Sequence, residues 1–269
     1  MIHPLHINAW LGIVVELLLL AALIGGLALY QRQHTLSAEL SRKCFHIGGG
    51  LSTLTFPWIF ASTWPVVLLA LITIPTLLAL KSLRVCQNNL GAVLYRVERA
   101  SLGEIYFPLS VCLLFVCTAT HALLFLIPVL ILTLADPAAA VIGGRYGRLR
   151  YTLIKGSKSV EGSTAFFLVA FTCVLFPLLS LAHTAPGQAV LIATLVGLLT
   201  TLAEAVAWEG LDNLFIPICA GLLLAGLLQS HLPLLLLDLG LTLALALSAC
   251  WFAAQHRNAV FGKKEGPSW

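Results

Sequence analysis

Residues 122–142, ALLFLIPVLILTLADPAAAVI, run straight into residues 143–158, GGRYGRLRYTLIKGSK. The first stretch is apolar for long enough to cross a hydrocarbon core of ~30 Å, and its single charge is Asp136. The second holds Arg145, Arg148, Arg150, Lys155 and Lys158 and no acidic residue. An apolar span delivered into a basic loop is the pattern of a membrane helix that ends on the cytoplasmic side.

Outward from this stretch, the same alternation recurs. Of 269 residues, 59% are hydrophobic and 10% charged, with a mean hydropathy of +0.99. A soluble domain carries about 25% charged residues, so a soluble fold is excluded. The apolar runs predict nine spans, near 10–30, 46–61, 65–80, 105–120, 122–142, 163–182, 188–207, 213–230 and 233–254. The expected fold is all-α, a polytopic transmembrane helical bundle forming a single integral membrane domain over 1–269. The first ten residues, MIHPLHINAW, lack the basic stretch of a secretory signal, so the first run is expected to be retained. Seven scattered cysteines without a CxxC pair read as small apolar residues in helices rather than as a disulfide framework or a zinc site.

All fifteen basic residues fall on alternate connections: Arg32 to Lys43, Lys81 to Arg99, Arg145 to Lys158, and Arg257 to Lys264. The intervening connections near 62–64, 121, 183–187 and 231 carry none. Positive-inside bias then places the N-terminus outside and the C-terminus in the cytoplasm, in a bacterial inner membrane or its equivalent. The inner loops are the long ones, and residues 88–98, NNLGAVLYRVE, suit an interfacial amphipathic helix. No internal repeat is evident, which disfavours a transporter built from inverted halves.

Four polar constellations lie on that inner face. In ELSRKCFHIGGG, Arg42, Lys43 and His46 precede three glycines, a combination that suits an anion near a helix start, although Arg42 also fits a headgroup anchor. In RASLGEIYFPLS, Arg99 and Glu104 flank Gly103; they fit a membrane-edge ion pair, or contact with a metal or a substrate hydroxyl. The third begins at Asp136, an intramembrane carboxylate and therefore a functional candidate. It continues through Gly143, Gly144, Arg145 and Gly147 to Lys155, Lys158, Ser159, Glu161 and Gly162, a glycine-rich basic segment suited to polyphosphate oxygens. It has neither the Walker A nor the GxGxxG spacing. In the fourth, LAEAVAWEGLDNLFIPICAG, Glu204, Asp212 and Asn213 provide oxygen ligands without a cation, as a magnesium–triphosphate site requires. Asp212 also fits a helix cap. Glu16 and Asp238 lie nearer the outer face, where helix–helix hydrogen bonding is the default reading.

Together RKCFHIGGG, GEIYFPLS, ADPAAAVIGGRYG with KSVEGSTAFF, and EAVAWEGLDNLFIP resemble the phytol kinase/dolichol kinase family, related more distantly to phosphatidate cytidylyltransferases. The resemblance covers about residues 40–220. It implies a membrane lipid kinase that transfers the γ-phosphate of CTP to a long isoprenoid alcohol such as phytol or a polyprenol, or to diacylglycerol in some members. It places the nucleotide on the Asp136 and Lys158–Gly162 segments. The other polar motifs then correspond to Arg42, Lys43 and His46, and to Glu204, Asp212 and Asn213.

On this reading Asp136 and Glu204 ligate magnesium, while Lys158 with Arg42 and Lys43 offsets charge on the transferred group. His46 or a carboxylate serves as general base, and Arg99 and Glu104 meet the lipid alcohol, which enters from the bilayer. No nucleic-acid partner is expected. Two other readings use the same ingredients: a cytidylyltransferase making a CDP-lipid, and a small-molecule transporter with Asp136 and Glu204 as ion sites.

Overall fold

A proline or a capping side chain starts several of the helices. Asn8 accepts the Trp10 N–H at 2.9 Å and starts α1 (Ala9–Gln33). Pro57 lies in the one-turn helix α3 (Phe56–Ile59), and Pro186 begins α8 (Pro186–Val206). Between them lie α2 (Ala38–Thr53), α4 (Trp64–Ser82), α5 (Gly103–Thr118), α6 (Ala122–Tyr146), a two-residue ribbon of β1 (Arg150–Tyr151) and β2 (Lys158–Ser159), and α7 (Val160–Ser180). Helices α9 (Asp212–Leu227) and α10 (Leu232–Phe261) follow. This computed structural model describes residues 7–34, 38–82, 102–118, 121–152, 157–207 and 209–261. The interfacial helix expected over 88–98, together with Arg99 and Lys155, lies outside the described residues.

The protein is all-α apart from the short antiparallel ribbon. Among the described residues, five segments are long and apolar enough to cross a membrane: Ala9–Gln31, Trp64–Ser82, Ala122–Tyr146, Val160–Ser180 and Pro186–Val206. Gly103–Thr118 and Asp212–Leu227 are apolar but shorter, at 16 residues each or roughly 24 Å of helix. Large apolar side chains stay exposed, including Leu18 at 63%, Phe176 at 71% and Leu222 at 71%. A bilayer solvates such a surface and water does not, so the chain is an integral membrane protein.

The last helix runs on to Phe261, past the expected 254, and the expected element 46–61 is displaced most, at both ends. The helix begins earlier, at Ala38, and ends at Thr53 before the separate turn of α3. Ser52 and Thr53 hydroxyls donate back to the Gly49 and Gly50 carbonyls at 2.9 and 2.8 Å, which competes with the helical ladder at that end. Arg42, Lys43 and His46 therefore lie inside α2 and not at its N-terminus. At spacings of three and four residues, they share a face with Gly49 and Thr53.

Two compact units divide the chain: Met1–Pro137 with Glu209–Leu222, and Ala138–Trp208 with Leu223–Trp269. In the first, α1 packs on α2 and α4, and α4 packs on α5. Its core is aromatic, with Phe115 and Phe125 edge to face at 5.2 Å and Phe56 stacked on Phe125 at 6.3 Å. Lipid tails are as apolar as leucine, so close packing contributes more than burial to such contacts. Gly50 shows this: an added Cβ would overlap the Thr133 side chain, so only glycine lets α2 approach α6 here.

In the second unit α7 and α8 form an antiparallel hairpin, and α8 also packs on α10. Phe166, Ala170, Val174 and Leu178 of α7 and Ile192, Ala193 and Val196 of α8 are all fully buried. A Cβ on Gly197 would stand 3.2 Å from the Phe167 ring, so this pair is packed to contact distance.

Candidate functional site

The first unit encloses a cavity of about 240 Å³. Arg42, Lys43 and His46 from α2, Glu104 from α5, Asp136 from α6 and Asn213 from α9 all line it. Thus six residues singled out in three separate sequence motifs and the Asp136 segment converge on one space.

The charges there are paired. Lys43 Nζ donates to Asp136 Oδ2 at 2.9 Å, with side chains only 11% and 12% exposed. Arg42 Nη1 lies 3.5 Å from Glu104 Oε1, and the Glu104 side chain is 8% exposed. An intramembrane charge is costly unless it is compensated, which both pairings achieve. His46 Nε2 donates to the Leu132 carbonyl at 2.9 Å, and its ring meets the edge of Phe107 at 4.8 Å. A carbonyl only accepts, so Nε2 carries the proton and Nδ1 of the neutral ring is an acceptor.

Two buried acceptors in this cavity, Glu104 Oε2 and Asn213 Oδ1, have no hydrogen-bond partner among the described residues. Buried polar atoms are nearly always satisfied, so these two suit a ligand hydroxyl or a cation. Asp212 opens α9, and its Oδ1 accepts the Asn213 N–H at 3.1 Å. The preceding turn places Glu209 and Gly210 at positive φ, 54° and 89°, and the Glu209 carbonyl accepts the Leu102 N–H at 3.2 Å. That bond joins the start of α5, and hence Glu104, to the start of α9.

The rest of the cavity wall is mostly apolar, contributed by residues such as Leu20 and Ile24 of α1 and Leu69 of α4. Along α2 the lining runs from Arg42 to Thr53, roughly 16 Å of helix. At the end away from Lys43 stands Glu16, 2% exposed, which accepts the Thr55 hydroxyl at 3.0 Å. Glu16 thus bonds to the turn between α2 and α3, and its place in the cavity wall was not legible. Nothing local in the sequence marks which face of an apolar helix turns inward.

The second unit holds the other constellation. Ser159 caps α7, its hydroxyl accepting the Gly162 N–H at 3.1 Å. The Glu161 carboxylate accepts the N–H groups of Arg148 and Leu149 at 2.9 and 3.2 Å, and Tyr151 Oη lies 2.6 Å from Ser163 Oγ. With Arg150 paired to Ser159 in the ribbon, the basic loop is held against the start of α7. Lys158 forms an ion pair with Glu204, which is 4% exposed and whose Oε2 has no hydrogen-bond partner among the described residues.

The glycines of this loop divide into two kinds. A Cβ on Gly143 would lie 2.9 Å from Ser159 Oγ, and one on Gly162 would lie 2.9 Å from the Ala139 carbonyl. Gly147 is equally confined, against the Gly143 carbonyl and Ser159. These three allow the chain to fold closely on itself, while Gly144 faces open space beside exposed Arg145. Arg145 also lies 5.6 Å from the Tyr146 ring centre.

Among the described residues, no group of three or more His, Cys, Asp or Glu side chains is arranged to hold a metal ion. Magnesium does not require such a cage, because it is commonly held by one or two carboxylates together with phosphate oxygens and water. Among the described residues, the free acceptors of Glu104 and Asn213 in the first unit fit that mode, and in the second the free Glu204 oxygen does so separately. Asp136 belongs to the first unit and Glu204 to the second. Half-buried Asp238 lies in α10, where its carbonyl accepts the Thr242 hydroxyl at 2.7 Å.

These features define a helical membrane protein that keeps paired charges beside a largely apolar cavity and a second, basic loop folded onto a helix start. No family model matches the chain, and no solved structure matches it. It is similar to the phytol kinase of Synechocystis sp., with 25% identity over 226 residues, 82% of this chain and 93% of that protein. That likeness runs over most of the length of both chains.

Proposed function

We propose that the chain is a membrane lipid kinase that transfers the γ-phosphate of a nucleoside triphosphate, CTP in this reading, to a long-chain isoprenoid alcohol such as phytol or a polyprenol. The observation that carries the reading is the first unit's cavity: apolar walls for a lipid chain, with Lys43, Asp136, Arg42, Glu104 and His46 at one end for its hydroxyl. The likeness to a phytol kinase supports the acceptor class.

In this scheme the acceptor hydroxyl meets the polar end, beside Glu104 and Asn213, and donates its hydrogen bond to His46 Nδ1. His46 Nδ1 takes that proton as the alcohol oxygen bonds to the γ-phosphorus, and the bond to the β–γ bridging oxygen breaks to release the nucleoside diphosphate. Asp136 in the first unit and Glu204 in the second are each a candidate magnesium ligand; a bound ion would neutralise charge on phosphate oxygens. Arg42 and Lys43 in the first unit, and Lys158 in the second, are each candidate cations for offsetting phosphate charge. Arg145 and the exposed backbone at Gly144 contact the nucleotide's phosphates, and Ser159, Glu161 and Gly162 hold that loop in place. Nine spans, with the N-terminus outside and the site on the cytoplasmic face, complete the proposal; the alternation of the basic residues supports that orientation.

The test is an acceptor panel of phytol, a polyprenol and diacylglycerol, with CTP or ATP and magnesium, using wild type and Asp136→Asn. Label from the γ-position appearing in one alcohol product, and lost in the variant, is the expected result. Transfer of α-label instead identifies a cytidylyltransferase. A wild type that phosphorylates no acceptor under any condition overturns the reading.

A further inference from the structure

Among the described residues that line the cavity, the exposed ones are Ala21 on α1 and Ile72 and Thr76 on α4. The end at Glu16 is sealed: Glu16 is 2% exposed, Phe56 5% and Val66 2%. At the opposite end stand the charged pairs of Lys43 and Arg42. An opening between α1 and α4 therefore lies on the flank of the cavity, framed by helices apolar and long enough to span a bilayer.

Volume then sets what fits inside. An apolar cavity of about 150 Å³ just accepts a benzene ring. By that measure about 240 Å³ accepts roughly ten carbons. A longer acceptor cannot be enclosed, and its surplus chain has to leave through a wall. The sealed end offers no exit, and the charged end excludes hydrocarbon.

The geometry points to a lateral window between α1 and α4, at Ala21, Ile72 and Thr76, through which the tail of a long isoprenoid alcohol passes into the bilayer while its hydroxyl-bearing portion of about two isoprene units fills the cavity. This rests on the lipid-alcohol reading above and deepens it. The cavity selects the proximal part of the acceptor, and the window makes the enzyme indifferent to the length of the tail outside. Chain length beyond the window contributes only partition into the membrane.

Two alcohols separate this arrangement from a simple pocket: geraniol, short enough to be enclosed, and phytol, which is not. Binding to the full-length protein in detergent is read from the shift in melting temperature without nucleotide, and phosphorylation kinetics are read separately. Ala21→Trp or Thr76→Trp, which narrow the window, are expected to weaken phytol on the order of tenfold and leave geraniol within about twofold. Retained geraniol binding shows that these variants are folded. Ser52→Phe, which fills the sealed end, is expected to weaken both alcohols together, and Ala21→Ser neither.

Equal loss of both alcohols in the window variants, undiminished phytol binding in them, or a wild type that binds neither alcohol overturns the window. If the alcohols bind as described but no nucleotide supports phosphorylation, the kinase reading falls and the window stands on binding alone.

Discussion

Lys43 Nζ lies 2.9 Å from Asp136 Oδ2, tying α2 to α6 through a charge pair almost closed to water. Both side chains are nearly closed to water, so removing one takes a partner from a charge that is poorly solvated. Breaking a buried pair in this way costs about 3–5 kcal/mol, whereas replacing both members by apolar groups is often tolerated.

Asp136→Asn is therefore expected to lower the melting temperature in detergent and to reduce lipid phosphorylation at least on the order of a hundredfold. The double variant Lys43→Met, Asp136→Leu should recover much of the melting temperature but none of the activity. Wild-type turnover in Asp136→Asn would remove this carboxylate from the mechanism.

Glu204 is 4% exposed, and one carboxylate oxygen is engaged by Lys158 while Oε2 has no hydrogen-bond partner among the described residues. If Oε2 is a magnesium ligand, Glu204→Gln should raise the magnesium concentration needed for half-maximal activity by on the order of tenfold. Lys158→Met should lower kcat without that shift in metal dependence. An unchanged magnesium titration in Glu204→Gln argues for a purely structural ion pair.

Glu161 receives the N–H groups of Arg148 and Leu149, so its work is to hold the basic loop. Glu161→Ala should raise the KM for the nucleotide severalfold and leave the KM for the alcohol unchanged. Glu161→Gln keeps one acceptor oxygen and should fall between the two. A matched rise in both KM values would instead point to general loss of structure.

Gly50 has no room for a methyl group, because Thr133 occupies the space. Gly50→Ala should destabilise the protein by about 1–3 kcal/mol through overpacking. Adding Thr133→Ala to that variant should restore the melting temperature by vacating the site. A single Gly50→Ala variant that melts like wild type would show that α2 and α6 can separate at no cost.

Much of the fold was legible because hydropathy is local. The runs at 122–142, 163–182 and 188–207 became α6, α7 and α8 with ends shifted by only a few residues, since each apolar stretch is bounded by its own breakers. Ser159, read in the sequence only as part of a glycine-rich basic segment, caps the start of α7. The start of α2 was misplaced because ELSRK is polar yet helix-compatible, so hydropathy alone began the element at His46. That shift moved Arg42 and Lys43 from a loop to the helix face that lines the cavity.

The sequence by itself determined that this is an all-helical membrane protein and which polar residues stand out against its apolar background, because a lone Asp136 or Glu204 in such surroundings is conspicuous without any neighbours. Only the tertiary structure decided who meets whom: Lys43 with Asp136, Lys158 with Glu204, Glu16 with Thr55, and Gly50 against Thr133. Those pairings depend on how each helix is rotated and how closely it approaches the next. The spans are apolar around their whole circumference, so residue order carries almost no record of that rotation.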